Sequence, residues 1–200
     1  MNQTIIDLIR HGEPQGGSLF RGHTIDDPLS DNGWEQMWQS VGNYDQWQQI
    51  VSSPLLRCCI FAEQLAFKNS IPLMIEQNFK EIGFGSWEGL SREKVKQRDL
   101  REYNEFYNDP VNKRPAGSED LNLFILRVIS SYKKIIEQFK NQHILIVAHA
   151  GVIRALLAHV VYAPPKGLYN FKITNAGISR ITVESNEIVF VNKAFNSEKP

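Results

Sequence analysis

The sequence predicts an α/β fold with a mostly parallel central sheet covered by helices on both faces. Short apolar runs alternate with amphipathic stretches along the 200 residues, and the strongest runs are almost continuously hydrophobic, as buried parallel strands are. No internal repeat or low-complexity tract interrupts this alternation. A chain of this length is expected to form one domain, over residues 1–200.

The N-terminal segment predicts a strand, a long loop and a helix. Residues 4–9 form an isoleucine-rich run that ends before Gly12 and Pro14, which is typical of a buried strand that leads into a loop. Glycines and prolines punctuate residues 15–31, so this stretch is predicted to be a loop. A short amphipathic helix is predicted at residues 34–41.

A strand–helix–strand unit is predicted next. Residues 50–51 form the second strand. Ser53 as the N-cap and Pro54 at the first helical position then begin a helix that runs to about Phe67. Residues 72–75 form the third strand, and a segment rich in glycine and aromatic residues follows at residues 81–89.

The most regular helix of the chain lies in its second half. Residues 91–115 are polar and weakly periodic, whereas Ser118 begins a long helix with a sustained apolar stripe. The stripe comprises Leu121, Phe124, Ile125, Val128, Ile129, Tyr132, Ile135, Ile136 and Phe139.

The C-terminal third predicts one more strand–helix unit and two β segments. Residues 144–148 form a buried strand, and a helix follows at residues 152–161. The β segments are predicted at residues 168–173 and 178–191, the second as a hairpin that turns near residues 185–186.

Composition excludes several classes of function. Hydrophobic residues make up 42% of the chain and the 22 basic residues balance the 22 acidic ones, so neither disorder nor a basic surface for nucleic acid or membrane is expected. Cys58 and Cys59 are adjacent and cannot form a long-range disulfide, which favours a reduced compartment. Because the sequence contains neither a membrane-spanning run nor a basic signal segment, we expect a cytoplasmic protein.

Basic side chains follow three of the predicted strands. Arg10 and His11 follow the first strand, Arg57 lies in the first turn of the helix after the second, and His149 follows the strand at residues 144–148. Ligands of open α/β sheets bind at the carboxyl ends of the strands. Arginine forks match the oxygens of a phosphoryl group, so these positions predict an anion pocket.

Two histidines in such a pocket suggest phosphoryl transfer rather than binding alone. A neutral imidazole can attack phosphorus near neutral pH, and a carboxylic acid can protonate the leaving alcohol. Glu81, Glu88 and Glu13 are the candidate acids. The residues alone do not choose between His11 and His149 as the nucleophile.

Four motifs, in order, resemble the successive signatures of the histidine phosphatase superfamily, which has a phosphoglycerate-mutase-like three-layer sandwich fold. They are LIRHGE at residues 8–13, SSPLLRC at 52–58, EIGFGSWEG at 81–89 and AHAGVIRAL at 148–156. Within the superfamily, the sequence after the first motif is most similar to the α-ribazole phosphatase-like members.

The resemblance implies a role for each site residue. His11 is the implied nucleophile and Glu81 the implied proton donor, with Arg10, Arg57 and His149 binding the phosphate. Pro14 and Gly17 replace the Thr and Asn that often follow the first motif, so phosphate contacts from those positions are not carried over. The usual G-E-S before the long helix is Gly-Ser-Glu here, which leaves the role of Glu119 open.

Other side chains have structural as well as functional interpretations. Arg21 in the long loop is a plausible substrate contact, and Arg154 is interpreted as a structural ion-pair partner. The remaining histidines are predicted to be structural: His23, His143 and His159. Three aromatic residues either line a pocket for the leaving group or anchor their loops: Phe20, Phe84 and Trp87.

No metal or other cofactor is expected. His11 and Glu13 have the spacing of half a zinc deaminase motif, but the P-C-x-x-C half is missing and the arginines would repel a cation. Neither a P-loop nor a G-x-G-x-x-G motif occurs.

The predicted function is therefore that of a metal-independent phosphomonoesterase, acting through a phosphohistidine on a small phosphorylated metabolite such as α-ribazole 5′-phosphate. A cofactor-dependent phosphoglycerate mutase and a non-catalytic phospho-ligand-binding protein are the alternatives. Specificity is expected to depend on residues 15–31 and 91–115. The sequence leaves the oligomeric state open.

Overall fold

In the computed structural model, which describes residues 3–195, six strands form one sheet in the order β3-β2-β4-β1-β5-β6. The first four strands of this order are mutually parallel, and β5 and β6 are antiparallel additions beside β1. This confirms the predicted mostly parallel sheet. The strands are β1 (Ile5–Arg10), β2 (Gln49–Ser52), β3 (Leu73–Ile75), β4 (His143–Ala148), β5 (Ile178–Thr182) and β6 (Glu187–Lys193).

Helices cover both faces of the sheet, as predicted. They are α1 (Asp31–Val41), α2 (Leu56–Asn69), α3 (Arg92–Arg98), α4 (Leu100–Asn108), α5 (Leu121–Gln138) and α6 (Ala150–Val160). Short 3₁₀ turns lie at Gln77–Phe79, Gly85–Trp87 and Pro165–Asn170. Among the helices of residues 3–195, none is long and apolar enough to span a bilayer.

Alternate residues of the central strands face two separate hydrophobic cores. Ile6 and Leu8 of β1 pack in the core beneath α5 and α6, whereas Ile9 packs in the core beneath α1 and α2. Successive side chains of a strand point to opposite faces, so a strand between two helical layers must be apolar along its whole length. The near-continuous hydrophobicity of β1 and β4 follows from this position.

The predicted β segment at residues 168–173 is wrong. Residues 165–170 form a 3₁₀ turn, and the following carbonyl groups accept hydrogen bonds from arginines instead of a neighbouring strand. Arg154 donates to the Phe171 oxygen at 2.9 Å, and Arg10 donates to the Ile173 oxygen at 2.7 Å. Leu168 and Ile173 are buried in the core around α5 and α6, which explains why this stretch is apolar without being a strand.

Four helices begin at other residues than predicted. Helix α5 begins at Leu121, with Asp120 as its N-cap, instead of at Ser118, and α6 begins at Ala150 instead of residue 152. Helix α1 begins at Asp31, since the Ser30 hydroxyl accepts a hydrogen bond from the Gly33 N–H at 3.0 Å and caps it. Helix α2 begins at Leu56, and the predicted cap Ser53 instead places its hydroxyl 2.7 Å from His149 Nε2.

The polar stretch at residues 91–115 contains α3 and α4, which periodicity did not reveal. Each is short and capped by its own polar residue, Ser91 for α3 and Asp99 for α4. Phe106 is the one fully buried apolar residue of α4 and contacts Trp87, with ring centroids 5.0 Å apart. These helices build one wall of the cavity described next.

Candidate active site

The basic residues that follow the strands meet at the carboxyl edge of the sheet, as the strand order requires. Strand β4 lies between β1 and β2, so His149 lies between the segments that carry His11 and Arg57. The ring centroids of His11 and His149 are 5.2 Å apart. Arg10, His11, Arg57 and Glu81 line one cavity of about 660 Å³.

The hydrogen bond of His11 leaves one ring nitrogen free. Nδ1 lies 2.7 Å from the Gly12 carbonyl oxygen, which can only accept, so Nδ1 carries the proton and Nε2 has a free lone pair. Burial, and then the charges of Arg10 and Arg57, lower the pKa of His11 well below its ordinary value of 6.5. The imidazole is therefore neutral, as a nucleophile must be.

Two glycines allow helix α1 to approach the His11 loop closely. A Cβ atom on Gly12 would lie 2.2 Å from the Gly33 carbonyl oxygen, and one on Gly33 would lie 2.0 Å from the Glu13 oxygen. Because both contacts are with backbone, neither can be relieved by a side-chain rotation. Glycine at both positions therefore allows the close packing of α1 against the loop whose Gly12 carbonyl orients His11.

His149 is fully buried, and both of its ring nitrogens have protein partners. Arg57 Nε donates to Nδ1 at 3.3 Å, so the neutral ring carries its proton on Nε2 and donates to the Ser53 hydroxyl. Burial, and then the charge of Arg57, lower the pKa of His149 well below 6.5. In this arrangement His149 orients Arg57 and packs against His11, and direct contact with a phosphate stays a prediction.

Arg57 connects the cavity to the loop at residues 15–31. Its Nη1 and Nη2 atoms donate to the carbonyl oxygens of Ile25 at 3.0 Å and Gly22 at 2.8 Å. A guanidinium has five N–H groups, so N–H groups remain available for an incoming anion. Any ligand held by Arg57 is thereby coupled to the position of this loop.

Arg10 has an unsatisfied donor. Its Nη1 atom donates to Ile173, but the buried Nε–H has no hydrogen-bond acceptor. Burial lowers the pKa of Arg10 to about 10; Glu81 opposes this shift, and repulsion from Arg154, Arg92 and Arg57 adds to it. A buried donor beside like charges is stabilised by an anion.

Glu81 lies against the N-terminus of α6. Its carboxylate accepts hydrogen bonds from the Ile82 N–H at 2.9 Å and from the Gly151 N–H at 3.1 and 3.2 Å. A Cβ atom on Gly151 would lie 2.2 Å from Glu81 Oε1. Only glycine at residue 151 therefore lets the carboxylate occupy this place.

The structure assigns Glu119 a supporting role. Arg127 pairs with Glu119 at 2.7 Å and also donates to the carbonyl oxygens of Lys80 at 3.0 Å and Glu81 at 3.3 Å. Glu119 itself accepts the Gly83 N–H at 3.1 Å. This ion pair thus holds both sides of the turn that carries Glu81.

The other acidic candidates have different surroundings. Glu13 lines the cavity, and its Oε1 atom accepts from the Ser30 hydroxyl at 3.3 Å. Glu88 accepts the Phe84 N–H at 2.8 Å and the Thr24 hydroxyl, and it lines a separate, smaller pocket. These hydrogen bonds give Glu88 a structural role at the turn formed by residues 84–88.

Arg21 lines the cavity but is largely occupied by its own loop. Nε pairs with Asp27 at 2.9 Å, Nη1 donates to the Gly17 carbonyl at 2.8 Å, and Nη2 donates to the Gln15 carbonyl. These contacts shape the loop at residues 15–31, and a substrate contact by Arg21 stays a prediction.

Of the three aromatic candidates, Phe20 and Phe84 line the cavity whereas Trp87 belongs to the core. The ring centroid of Phe20 is 5.1 Å from that of Phe84 and 5.1 Å from that of Trp87. The same aromatic cluster therefore lines the cavity and anchors its loops in the core. Several further residues of the cavity lining are not indicated as site residues by the sequence. They are Arg92, Tyr103, Tyr107, Arg154, Tyr169 and Lys172.

Arg154 does not have the ion-pair partner that the sequence suggested. Its contacts are the Phe171 carbonyl and the Tyr169 ring, 5.4 Å from the guanidinium carbon, and no carboxylate of residues 3–195 pairs with it. No group of three or more His, Cys, Asp or Glu side chains in that range is arranged to hold a metal ion.

Comparison with known proteins adds to this geometry. The histidine phosphatase superfamily (branch 1) matches residues 6–196. The chain is 28% identical over 180 residues to the adenosylcobalamin/α-ribazole phosphatase of Escherichia coli (strain K12), covering 88% of each chain. It is 30% identical over 183 residues to an uncharacterized phosphatase of Bacillus subtilis (strain 168), covering 89% of this chain and 88% of the other.

Solved structures have the same fold. The α-ribazole phosphatase from Shigella flexneri superposes with a TM-score of 0.78 at 27% identity, covering 96% of each chain. A mycobacterial glucosyl-3-phosphoglycerate phosphatase superposes with a TM-score of 0.85 at 19% identity, covering 96% of this chain and all of the other, and this likeness concerns the fold alone.

Proposed function

We propose that this chain, which belongs to the histidine phosphatase superfamily and is a phosphatase, hydrolyses phosphate monoesters without a metal, through a phosphohistidine on His11. The observation that carries the proposal is the state of the His11 ring. Its Nδ1–H is held by the Gly12 carbonyl, which leaves the Nε2 lone pair of the neutral ring free, and the neighbouring residue Arg10 has a buried Nε–H without an acceptor.

In the first step, Nε2 of His11 attacks the phosphorus atom of the bound monoester. The N–P bond forms as the bond between phosphorus and the ester oxygen breaks, and Glu81 gives a proton to the departing alcohol oxygen. Arg10 and Arg57 neutralise the charge on the phosphoryl oxygens. The Gly12 carbonyl stabilises the positive charge that develops on the ring, since it accepts the Nδ1–H.

In the second step, a water molecule attacks the phosphohistidine. The Glu81 carboxylate takes a proton from the water, the new P–O bond forms and the N–P bond breaks. Inorganic phosphate leaves, and His11 and Glu81 return to their starting states. The two hydrogen bonds from Ile82 and Gly151 hold Glu81 in place for both transfers.

The substrate is proposed to be a small phosphorylated metabolite. The cavity of about 660 Å³ is large enough for a phosphate and a modest alcohol part. α-Ribazole 5′-phosphate is one candidate, because relatives at 26–28% identity carry the name adenosylcobalamin/α-ribazole phosphatase. Phosphoglycerates, sugar phosphates and nucleotides complete the panel to be screened.

The proposal is tested by hydrolysis of 4-nitrophenyl phosphate in the presence of EDTA. We expect turnover to persist with the chelator and to fall by at least about 10³-fold in His11→Ala. His159→Ala is the matched control, since His159 lies on α6 away from the cavity lining and should leave turnover unchanged. Turnover that EDTA abolishes, or that survives in His11→Ala, contradicts the proposal.

The same preparation distinguishes the alternatives. A phosphoglycerate mutase would transfer phosphate between phosphoglycerates faster than it releases inorganic phosphate. A phospho-ligand-binding protein would bind phosphate tightly and turn over none of the panel. We expect release of inorganic phosphate to dominate.

A further inference from the structure

A short segment of the loop at residues 15–31 is held at both of its ends by Arg57. The Nη2 atom of Arg57 donates to the Gly22 carbonyl oxygen at 2.8 Å, and Nη1 donates to the Ile25 carbonyl oxygen at 3.0 Å. The carboxylate of Asp26 lies 4.0 Å from the same Nη1 atom. The two residues between the anchored carbonyls are therefore fixed relative to the guanidinium.

His23 is one of those two residues, and it reaches the turn that carries the proposed proton donor. Its Nδ1 atom is 3.1 Å from the Glu81 carbonyl oxygen, which can only accept, so Nδ1 carries the proton of this hydrogen bond. A Cβ atom on Gly83 would lie 2.9 Å from His23 Cε1, so glycine at residue 83 leaves room for the imidazole. The sequence predicts a structural His23, whereas its ring contacts the Glu81 turn directly.

The backbone at Glu81 depends on such contacts from side chains. Residues 81–84 belong to neither a helix nor a strand, so no ladder of backbone hydrogen bonds fixes their position. Arg127 of α5 donates to the Glu81 carbonyl oxygen at 3.3 Å, and His23 donates to the same oxygen from the loop. The carbonyl thus accepts one hydrogen bond from a helix and one from the loop that Arg57 holds.

A general acid works only within hydrogen-bond reach of the oxygen that it protonates. The Glu81 carboxylate is attached to the backbone that His23 and Arg127 hold, so a shift of this backbone moves the carboxylate away from its place against α6. Small displacements of a catalytic group have large effects on rate. His23 itself is exposed, so its replacement should leave the hydrophobic cores packed.

We infer that His23 is a positioning residue for Glu81, which holds the proposed proton donor in place and joins it to the loop segment that Arg57 grips. This inference rests on the proposed phosphatase function and adds one residue to it. Loss of the His23 hydrogen bond is expected to weaken proton transfer to the leaving alcohol. The arginines proposed to bind the phosphate should be unaffected.

The test compares benzyl phosphate with 4-nitrophenyl phosphate. Both leaving groups contain one aromatic ring, but benzyl alcohol is much the weaker acid, so its departure depends more on the proton donor. The quantity measured is kcat/KM for benzyl phosphate divided by kcat/KM for 4-nitrophenyl phosphate. A change in phosphate binding that is common to both compounds cancels in this ratio.

Two variants of His23 separate its hydrogen bond from its bulk. His23→Phe keeps a ring beside Gly83 but removes the donor, so the ratio is expected to fall by about tenfold. His23→Asn has an amide N–H the same number of bonds from the backbone as Nδ1, and it should restore most of the ratio. Glu81→Gln gives the reference, because it removes the transferable proton and should lower the ratio further.

Thr24→Val is the matched control. Thr24 is the next residue of the same segment, and its hydroxyl donates to Glu88 outside the main cavity, so the ratio should be unchanged. Inhibition by inorganic phosphate is measured alongside. Its inhibition constant should stay the same in the variants of His23 and Thr24, because Arg57 keeps both of its carbonyl partners.

The outcomes separate the inference from the function on which it rests. An unchanged ratio in His23→Phe, a ratio equally low in His23→Asn, or an equal fall in Thr24→Val overturns the positioning role and leaves the phosphatase standing. Weaker inhibition by phosphate in His23→Phe also overturns it, because the whole loop would then have moved. If the unsubstituted protein hydrolyses neither compound, the proposed function is contradicted and the inference falls with it.

Discussion

Two buried clusters of charged and polar groups lie on the same sheet, and they differ in how their charges are balanced. In the first, Asp7 of β1 accepts hydrogen bonds from Trp47 at 2.8 Å, from His143 at 2.8 Å and from Arg180 at 2.8 and 3.0 Å. In the second, Arg10 keeps an unsatisfied Nε–H and like-charged Arg57 is close enough to repel it.

The difference distinguishes a cluster whose charges are balanced within the protein from one whose charges favour binding of an anion. The pKa of Asp7 is lowered because the hydrogen bonds and charges of His143 and Arg180 outweigh the effect of burial, so the folded protein holds this carboxylate charged without a ligand. At Arg10 burial and repulsion lower the pKa, which means that the folded protein holds this charge at a cost. Buried charge that the protein leaves unbalanced is where an anion is expected to bind.

The largest expected effect on activity comes from replacing Glu81, the proposed proton donor. Glu81→Gln keeps the shape of the side chain but cannot transfer a proton, so kcat is expected to fall by about 10²–10⁴-fold. The loss should be greater for an alkyl phosphate than for 4-nitrophenyl phosphate, whose leaving group needs less protonation. Steady-state kinetics on both compounds measure this.

Glu88→Gln is the control for that experiment. Glu88 is a nearby glutamate whose carboxylate accepts from Phe84 and Thr24 outside the main cavity. If Glu88→Gln reduced kcat more than Glu81→Gln, the assignment of the proton donor would be wrong.

A substitution in the cluster around Asp7 should lower the free energy of unfolding without lowering activity. Asp7→Asn leaves Arg180 and its neighbours without their carboxylate, and the free energy of unfolding is expected to drop by about 3 kcal/mol. Urea unfolding measures the loss, with Asp45→Asn at an exposed carboxylate as the control. A large decrease in kcat per folded molecule would show that the two clusters are not independent.

Gly151→Ala tests whether activity depends on the position of the Glu81 carboxylate, since the variant leaves the carboxylate itself unchanged. The new methyl group must displace the Glu81 carboxylate, which is the flexible end of a side chain, so we expect kcat to fall by about 10²-fold with little change in the unfolding midpoint. A variant with full activity would show that the position of Glu81 against α6 is not required.

The two clusters should affect the free energy of unfolding in different pH ranges. The pKa values of His11 and His149 are lowered by burial, so below pH 6.5 the unfolded state binds more protons than the folded state and stability falls. Each histidine contributes up to about 1.4 kcal/mol per pH unit. Asp7 has its pKa lowered from 3.8, so its contribution is lost only at still lower pH.

Unfolding in urea between pH 7.5 and pH 4.5 measures this slope. His11→Asn is expected to reduce the slope by up to about 1.4 kcal/mol per pH unit, because one of the histidines with a lowered pKa is gone. An identical slope in the variant would mean that His11 is not buried as a neutral ring.

The fold was predictable where burial decides the sequence. Strands β1 and β4 must be apolar on both faces, so their positions follow from hydrophobicity alone. Residues 168–173 are equally apolar but pack one side on the core and give their carbonyls to Arg10 and Arg154, which no local pattern indicates. Helices α3 and α4 are too short and polar for periodicity to detect.

The site was predictable where a residue directly follows a strand. Arg10, His11 and His149 lie where that rule puts them, and Arg57 lies in the first turn of α2 as expected. The rule gives positions and not hydrogen bonds, so it did not show that His149 is fully engaged by Ser53 and Arg57. The tyrosines of the cavity lining come from distant segments that only tertiary packing brings to the cavity.

Transfer of the phosphoryl group to Nε2 of His11 produces a covalent phosphoenzyme, which can be trapped. The enzyme would be mixed with 4-nitrophenyl phosphate, quenched in alkali to preserve phosphohistidine, and mapped by peptide mass spectrometry. We expect one added PO₃H group, on His11, and none in His11→Ala. A phosphoryl group found on His149 or on any other residue, or turnover through no phosphoenzyme at all, would contradict this expectation.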